Sequence, residues 1–166
     1  MSNIIQDNIT DDMEEYRNTI MTNMITSSKL VELVGGQIDQ ESGLATDLIW
    51  TNFIPQQYLP NIVTTEEAFI FYDIETDSDI RKDTYKNVVI YFWIIVHKRI
   101  NRYSDGSGLL NDKIVWELKK IFKNQNFLGI GKIHEIYNRL YDTRNDNFTG
   151  RLLGLRITDW SDTVKR

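Results

Sequence analysis

The sequence predicts an α+β domain: a four-stranded antiparallel sheet, ordered ββαββ along the chain, with one main helix packed on it, plus N-terminal helices and an extended arm. Three observations support this class: helical periodicity in the first part of the chain, two pairs of β-rich segments, and one amphipathic segment between the pairs. A length of 166 residues fits one domain. We divide it into a helical extension at 1–28, a core at 29–160 and a tail at 161–166.

Two helices are predicted at the N-terminus. Asp11 and Glu14 have the spacing of a capping box, which places the start of the first helix near residue 10. A short second helix is predicted at 29–34, preceded by a serine cap and ended by Gly35 and Gly36. The apolar face of the first helix recurs at three- and four-residue steps through Met13, Tyr16, Ile20 and Met24.

Residues 48–63 form an apolar segment that contains both prolines of the chain, Pro55 and Pro60. Proline excludes a helix interior and a central strand, so the segment is predicted to be an extended arm. Such an arm packs along its own domain or docks on a neighbouring chain. Its candidate interface residues are the aromatic side chains Trp50, Phe53 and Tyr58.

The second of the four predicted strands is apolar on both faces, which is typical of a central strand that is covered on both sides. We expect helices to cover one face and a neighbouring subunit to cover the other. The last strand alternates leucine and isoleucine with Arg156 and Thr158, which predicts one solvent-exposed face. The four strands are predicted at 68–76, 86–98, 132–140 and 150–159, and the main helix at 109–123.

Charge is unevenly distributed along the chain. The net charge of −5 argues against general or sequence-specific nucleic-acid binding. Residues 1–47 contain nine acids and two bases, whereas residues 98–144 contain ten bases and five acids. This polarity suits head-to-tail contacts between copies, although ordinary surface variation also explains it. The candidate contact residues are Asp11 and Asp12 on the acidic side and Arg99, Arg102, Lys119 and Lys120 on the basic side.

Asp73 and Glu75 are the best candidates for catalytic residues. Their spacing on a strand resembles the first motif of DEDD-type exonucleases, in which the two acids hold Mg²⁺ ions. The later acids available to complete such a site are Asp105 and either Asp142 or Asp146. Only 32 residues and one strand separate Asp73 from Asp105, and the remaining chain is too short for that nuclease fold. A strand with polar side chains facing water explains the motif better.

Other chemistry has little support in the sequence. There is no cysteine, and the two histidines, His97 and His134, lack the spacing of a metal-binding pair. We therefore predict a non-enzymatic protein with no catalytic residue, cofactor or metal. The acidic N-terminus is not a signal peptide, and the longest apolar run, 88–96, is too short to cross a bilayer as a helix. We expect an intracellular protein without a membrane partner.

Four stretches in order resemble small phage neck and tail proteins of the tail-terminator, or tail-completion, type. The first is the short helix at 29–34, and the second is the arm around Asn52-Phe53-Ile54-Pro55 running into the strand at 68–74. The third is the buried strand at 88–97 with Arg102-Tyr103-Ser104-Asp105-Gly106 and the helix after it. The fourth is Phe127-Leu128-Gly129-Ile130-Gly131-Lys132-Ile133, followed by 141–151 and a closing strand that ends at Asp159.

The resemblance implies a homo-oligomeric ring, usually a hexamer, that caps the tail tube and joins the tail to a head-side connector in the virion neck. Its expected partners are further copies of the chain, the tail tube protein, the sheath and a neck protein, with assembly in the host cytoplasm and DNA passing through the ring. A head-side connector, stopper or collar protein of the same neck is the alternative. A Mg²⁺-dependent nuclease that uses Asp73 and Glu75 is a remote one.

Overall fold

The computed structural model of the chain describes residues 3–56, 65–77, 85–102, 106–123 and 133–160, and within these ranges it describes side chains from residue 13 onward except those of residues 77, 85, 86, 159 and 160. The helices are α1 (Asn3–Thr26), α2 (Ser28–Leu33) and α3 (Leu110–Lys123), and a 3-10 turn spans Thr46–Leu48. The strands are β1 (Phe53–Ile54), β2 (Ala68–Asp77), β3 (Tyr85–His97), β4 (His134–Tyr141) and β5 (Phe148–Trp160). The α+β class is confirmed.

The sheet differs from the prediction in one strand. The predicted antiparallel strands are present as β2, β3, β5 and β4, but the arm adds β1 in parallel to β2, so the sheet is five-stranded and mixed in the order β1-β2-β3-β5-β4. β1 contains only two residues, and hydrogen bonds of the residue before it, Asn52, hold it beside β2. The Ile70 N–H donates to the Asn52 carbonyl at 2.7 Å, and Asn52 Nδ2 donates to the Ala68 carbonyl at 2.9 Å. Two residues before a proline carry no strand periodicity, so the sequence did not indicate this strand.

The first helix also begins earlier than predicted, because α1 runs from Asn3 through the expected capping box at Asp11 without a break. The short second helix is confirmed. The Ser27 hydroxyl accepts a hydrogen bond from the Leu30 N–H, and the chain leaves the helix through Gly35, whose φ of +86° favours glycine.

The main hydrophobic core lies between the helices and one face of the sheet. α1 contributes its predicted apolar face to this core, and α3 contributes side chains such as Ile114, Leu118 and Phe122. The Phe122 ring lies 5.3 Å from the ring of Phe92 on β3, measured between centroids. The helices thus cover the face of the sheet that Val88, Ile90, Phe92, Ile94 and Val96 form on β3.

The opposite face of the sheet carries a second apolar cluster, and no helix of the described residues contributes to it. Trp93 and Ile95 of β3 are buried there, together with Phe71 of β2. The central strand is therefore apolar on both faces, as predicted. That a neighbouring subunit covers this second face stays a prediction. The other members of the cluster are Ile54, Phe69, Phe148 and Leu152.

Candidate assembly surfaces

The two sides of the domain carry the two charge-biased parts of the sequence. α1 lies toward the β2 side of the sheet: Arg17 forms an ion pair with Asp73 at 3.2 Å, and the Tyr72 hydroxyl donates to the Arg17 carbonyl at 3.1 Å. α3 contacts β3 and β5 and reaches β4 at the opposite edge, where Lys119 pairs with Glu135 at 2.7 Å. The acidic first part of the sequence and the basic later part therefore lie toward opposite edges of the sheet.

The acidic side is the outer face of α1. Glu14 and Glu15 are exposed there, in line with the exposed polar residues Asn18 and Thr22. No cation in the described part of the chain lies within ion-pair distance of either glutamate. The predicted contact residues Asp11 and Asp12 belong to the same helix, and their side chains lie outside the described ones.

The basic side is less uniform than predicted. Lys119 and Lys123 both contact Glu135, so these two lysines connect α3 to the edge strand. Burial acts to raise the pKa of the Glu135 carboxyl, but the hydrogen bonds and positive charges of the two lysines outweigh it and lower that pKa. Lys120 is more exposed: it pairs with Glu117 at 3.2 Å, and its Nζ lies 4.3 Å from the centroid of the Trp116 ring.

The structure does not bring the predicted basic residues together into one patch. Arg99 follows the end of β3 and forms an ion pair with Glu66 at 2.6 Å. The backbone of Arg102 forms an isolated antiparallel β-bridge with Leu109, just before α3 begins. Lys120 lies near the other end of that helix, roughly 15 Å along its axis at about 1.5 Å per residue. The arginines and the lysines therefore occupy two separate places on the surface.

An apolar groove lies between α2 and the first half of α3. It has a volume of about 500 Å³. Its apolar walls are Leu33 of α2 and Leu109 and Trp116 at α3, and the two large side chains at α3 are 42% and 60% exposed. Its polar rim consists of Lys29, Ser107, Asp112, Lys113 and Glu117.

Sequence reasoning missed Trp116 as a surface residue. The signal was present, because the apolar stripe of this helix runs through Leu110, Ile114 and Leu118, and Trp116 falls outside it. A large aromatic residue on the polar face of an amphipathic helix is typical of a contact surface, since tryptophan is enriched at interfaces.

The three arm residues predicted to be interface residues have different environments. Trp50 is 61% exposed and has a φ of +65°, whereas Phe53 is fully buried in the main core. Tyr58 lies outside the described residues. Within the described part of the arm, Trp50 is thus the aromatic side chain available to a partner, and Phe53 packs inside its own chain.

Asp73 protects an edge of the sheet. β1 covers the outer edge of β2 only at Ile70 and Phe71. Because the Ile70 N–H points outward, the alternation of the antiparallel ladder places the Ile74 N–H on the same outer edge. The Asp73 carboxylate accepts that N–H at 2.8 Å and the Arg17 guanidinium at 3.2 Å. Asp73 therefore satisfies a backbone donor that would otherwise be open to another strand.

The acids proposed to complete a nuclease site do not converge on Asp73 in the described residues. Asp142 and Asp146 lie in the turn between β4 and β5, three strands away from β2, which is roughly 14 Å across the sheet. Glu75 interacts with the Tyr91 hydroxyl; burial, and then the negative charge of Glu75, raises the pKa of that hydroxyl. Asp105 lies outside the described residues, which contain no group of three acids, histidines or cysteines that could hold a metal ion.

The two histidines are also apart. His97 is buried at the end of β3, where its Nδ1 accepts the Arg99 N–H at 3.3 Å and its ring meets Phe148 edge-on. His134 is exposed at the start of β4.

Among the helices that the structure describes, none has the length and apolar character needed to span a membrane.

A search of curated proteins finds no match to the chain. A family model, that of YomW, matches residues 27–157, which is most of the chain and includes α2, α3, the first four strands and β5 as far as Ile157. The chain therefore belongs to the YomW family, a phage-derived protein family.

Proposed function

We propose that this chain is a structural protein of the phage neck, which forms a ring that caps the tail tube and joins the tail to the head-side connector. The observation that supports the proposal is that α1, with its exposed Glu14 and Glu15, and α3, with its lysines, lie toward opposite edges of one sheet, in a member of a phage-derived family. A surface that complements a different surface of the same chain makes head-to-tail contacts, and such contacts close into a ring when the rotation per subunit is a simple fraction of a turn.

The exposed Trp50 supplies a contact beyond the ring. A subunit of a layered assembly needs surfaces for the layers above and below it, in addition to those for its neighbours. We assign Trp50 and the arm to the tail tube protein, with the sheath and a neck protein as further partners. The ring has no catalytic residue, cofactor, metal or membrane contact in this proposal, and DNA passes through its lumen without sequence recognition.

The edge role of Asp73 bears on the nuclease alternative. A carboxylate that is held by Arg17 and a backbone N–H already has its charge compensated. Two-metal chemistry needs further carboxylates around the same point, and the described residues bring none there. The assembly function explains Asp73 without metal, so we favour it.

The proposal is tested by mixing the purified chain with purified tail tubes and measuring mass and position. Mass photometry should show a ring of about 118 kDa, six times the chain mass of 19.6 kDa, and electron microscopy should show a cap on one end of each tube. Trp50→Ala should keep the ring and weaken the capping of tubes. A chain that stays monomeric with tubes at every concentration contradicts the proposal.

The same experiment separates the two positions within the neck. Parallel samples contain DNA-filled heads in place of tubes. Capping of tubes supports the tail terminator. A ring that binds only the heads shows instead the head-side connector, stopper or collar, and the terminator assignment is then wrong.

A further inference from the structure

We propose that the second face of the sheet binds single-stranded DNA near its β4 edge, where bases stack on Tyr91 and Tyr137 and phosphates pair with Arg139 and Arg156. We call these four side chains the tyrosine platform. The choice of DNA rests on the proposed function, in which DNA is the polymer that passes through the ring. The binding itself rests on the two rings, the two cations and the position of the nearby acids.

The two tyrosine rings meet across a glycine. Tyr91 of β3 and Tyr137 of β4 both pair with Gly154 of β5, so the three residues form one row across the sheet. The ring centroids are 6.2 Å apart, and the ring planes are 22° from parallel. A Cβ atom at Gly154 would lie 2.7 Å from Cδ2 of Tyr137, which is closer than van der Waals contact allows. Glycine at this position therefore leaves room for the two rings above β5.

The paired rings are accessible from solvent. Tyr137 is 41% exposed, and Tyr91 beside it is partly exposed. Tyr91 also packs on the second apolar cluster, where its ring centroid lies 5.9 Å from that of Trp93, so the ring is held on this face of the sheet. An exposed aromatic ring on a sheet is a surface on which an unpaired base stacks.

Two arginines flank the rings along the strand direction. Arg139 lies two residues beyond Tyr137 on β4, and its guanidinium carbon is 5.2 Å from the centroid of the Tyr137 ring. Arg156 lies two residues beyond Gly154 on the antiparallel β5, so it projects from the same face on the other side of the rings. Burial raises the pKa of the Tyr91 hydroxyl, and the positive charge of Arg156 opposes that rise, which places Arg156 near Tyr91.

Both arginines are available to an anion. Each side chain is exposed, and neither has an ion-pair partner among the described residues. Arginine pairs with phosphate through two parallel hydrogen bonds, and its planar guanidinium also stacks on a base. Arg139 and Arg156 are four residues apart in register, roughly 13 Å, with the tyrosine rings between them.

Two acids on this face lie toward its other edge. Asp73 and Glu75 belong to β2, which is two strands from β5 and three from β4, roughly 10 and 14 Å. The Asp73 carboxylate is paired with Arg17, and Glu75 interacts with the Tyr91 hydroxyl. A DNA strand that follows β4 and β5 therefore keeps its phosphates away from both acids.

The strands that carry the arginines have a single acid among their described side chains. That acid is Glu135, which faces α3 and pairs with Lys119 and Lys123 on the other side of the sheet. The next acid along the chain is Asp142 in the β4–β5 turn, three residues beyond Arg139, roughly 10 Å. The net charge of −5 thus belongs to the chain as a whole, whereas the tyrosine platform is basic.

The rings favour a single strand over a duplex. In a duplex the faces of the bases are covered by their neighbours, so a duplex offers only its phosphates to the two arginines. An unpaired strand offers phosphates and base faces together. Stacking tolerates every base, because each base has an aromatic face, and this agrees with a DNA path without sequence recognition.

The test measures fluorescence anisotropy of the full chain with a labelled oligothymidylate of about 12 nucleotides, which lies within the usual site size of single-strand binders. Tyr137→Ala should raise the dissociation constant roughly 5-fold or more, because it removes a stacking surface. Tyr137→Phe keeps the ring and should bind as the wild type does. The wild type should bind the single strand more tightly than a duplex of the same length.

The arginines are tested through the dependence of binding on salt. Arg139→Ala with Arg156→Ala should reduce the slope of log K against log salt by about 1.4, since each phosphate contact on a single strand contributes about 0.7. Lys98→Ala with Arg144→Ala is the matched control, because it removes the same charge from exposed positions beyond the ends of β3 and β4, and it should leave the slope unchanged. Far-UV circular dichroism confirms that each variant is folded, and the arginine pair decides the question if Tyr137→Ala does not fold.

Three results would overturn the tyrosine platform. The first is a wild type that binds the single strand no more tightly than the duplex. The second is a control pair, Lys98→Ala with Arg144→Ala, that lowers the salt slope as much as the arginine pair does. The third is tighter binding of an RNA strand of the same length, which would reject DNA as the ligand.

Tube capping separates this inference from the proposed function. If the wild type caps tubes and does not bind single-stranded DNA, the tyrosine platform is wrong and the neck function stands. If it binds single-stranded DNA through Tyr137 but forms no ring on a tube or a head, the neck function is wrong and the DNA-binding surface stands. The variant that lacks both arginines should still cap tubes, because Trp50 lies outside the tyrosine platform.

Discussion

Phe53→Ala distinguishes a core residue from an interface residue. The sequence placed Phe53 with Trp50 as an arm side chain available to a partner, whereas the structure buries it completely in the main core. Truncation of a buried phenylalanine to alanine removes its transfer free energy and leaves a cavity, which costs about 3–5 kcal/mol. Phe53 also forms half of β1, so the loss weakens the only strand that pairs with the outer edge of β2 in the described residues.

The magnitude converts into a change of melting temperature. For a chain of this length, each kcal/mol shifts Tm by about 2–4 °C, so Phe53→Ala should lower Tm by roughly 6–20 °C. Urea unfolding followed by circular dichroism gives the free energy itself. Both measurements are made at a protein concentration where sedimentation shows the monomer, because assembly would add a concentration-dependent term to the stability.

Trp50→Ala is the matched control for Phe53→Ala. The Trp50 side chain is 61% exposed, and both tryptophan and alanine carry a Cβ, so the strain at its φ of +65° is unchanged. Its free energy of unfolding should remain within about 0.5 kcal/mol of the wild type. A loss below 1 kcal/mol for Phe53→Ala would refute the assignment of this residue to the core.

Three further predictions concern polar groups. Burial raises the pKa of the Tyr72 hydroxyl above its usual value of 10.0. The contribution of Tyr72 to the free energy of unfolding is therefore complete below pH 10 and is lost as the pH rises above 10. In urea titrations, Tyr72→Phe should lose less stability between about pH 9 and 12 than the wild type does. Glu135 has a lowered pKa, so its share is complete above the usual value of 4.5 and is lost as the pH falls through the folded pKa; Glu135→Gln should flatten the acid limb of the stability profile. Asn52→Ala removes the buried amide that donates to the carbonyl at the start of β2, and should cost about 1–3 kcal/mol in urea unfolding.

Each of these predictions has its own contradicting result. Thr51→Ala is the control for Asn52→Ala, because the Thr51 hydroxyl bonds to the Asp47 carbonyl on the exposed surface. Equal losses in the two variants would contradict the role of the buried amide. If the stability of Tyr72→Phe falls at alkaline pH as much as that of the wild type, the titration of Tyr72 does not depend on folding. The same conclusion holds for Glu135 if the stability of Glu135→Gln falls at acid pH as much as that of the wild type.

The regular elements were accessible from the sequence because their signals are local. The strand at 86–98 and the helix at 109–123 were predicted to within one residue of β3 and α3, since each has a long periodic pattern with clear ends. β1 escaped prediction because a two-residue strand has no period of its own and exists only through its bonds to β2. The start of α1 was misplaced because a capping-box spacing also occurs inside a helix.

The candidate surfaces were only partly predictable. The uneven charge along the chain pointed to two oppositely charged regions, and the structure places α1 and α3 toward opposite sides of the sheet. The sequence did not indicate that Lys119 is paired with Glu135, that Phe53 is buried, or that Trp116 is exposed beside a groove. Pairing and exposure depend on which side chains meet across elements far apart in sequence, and no local pattern contains that information.

The sequence by itself determined the α+β class, the four main strands, the central strand that is apolar on both faces and the absence of cysteine chemistry. These follow from composition and from periods of two and 3.6 residues, which the backbone geometry imposes on every chain. Only the tertiary structure decided the fifth strand, the protection of the outer edge of β2 by Asp73, and the groove at Trp116. Each of these arises where segments distant along the chain are brought within hydrogen-bonding or van der Waals distance.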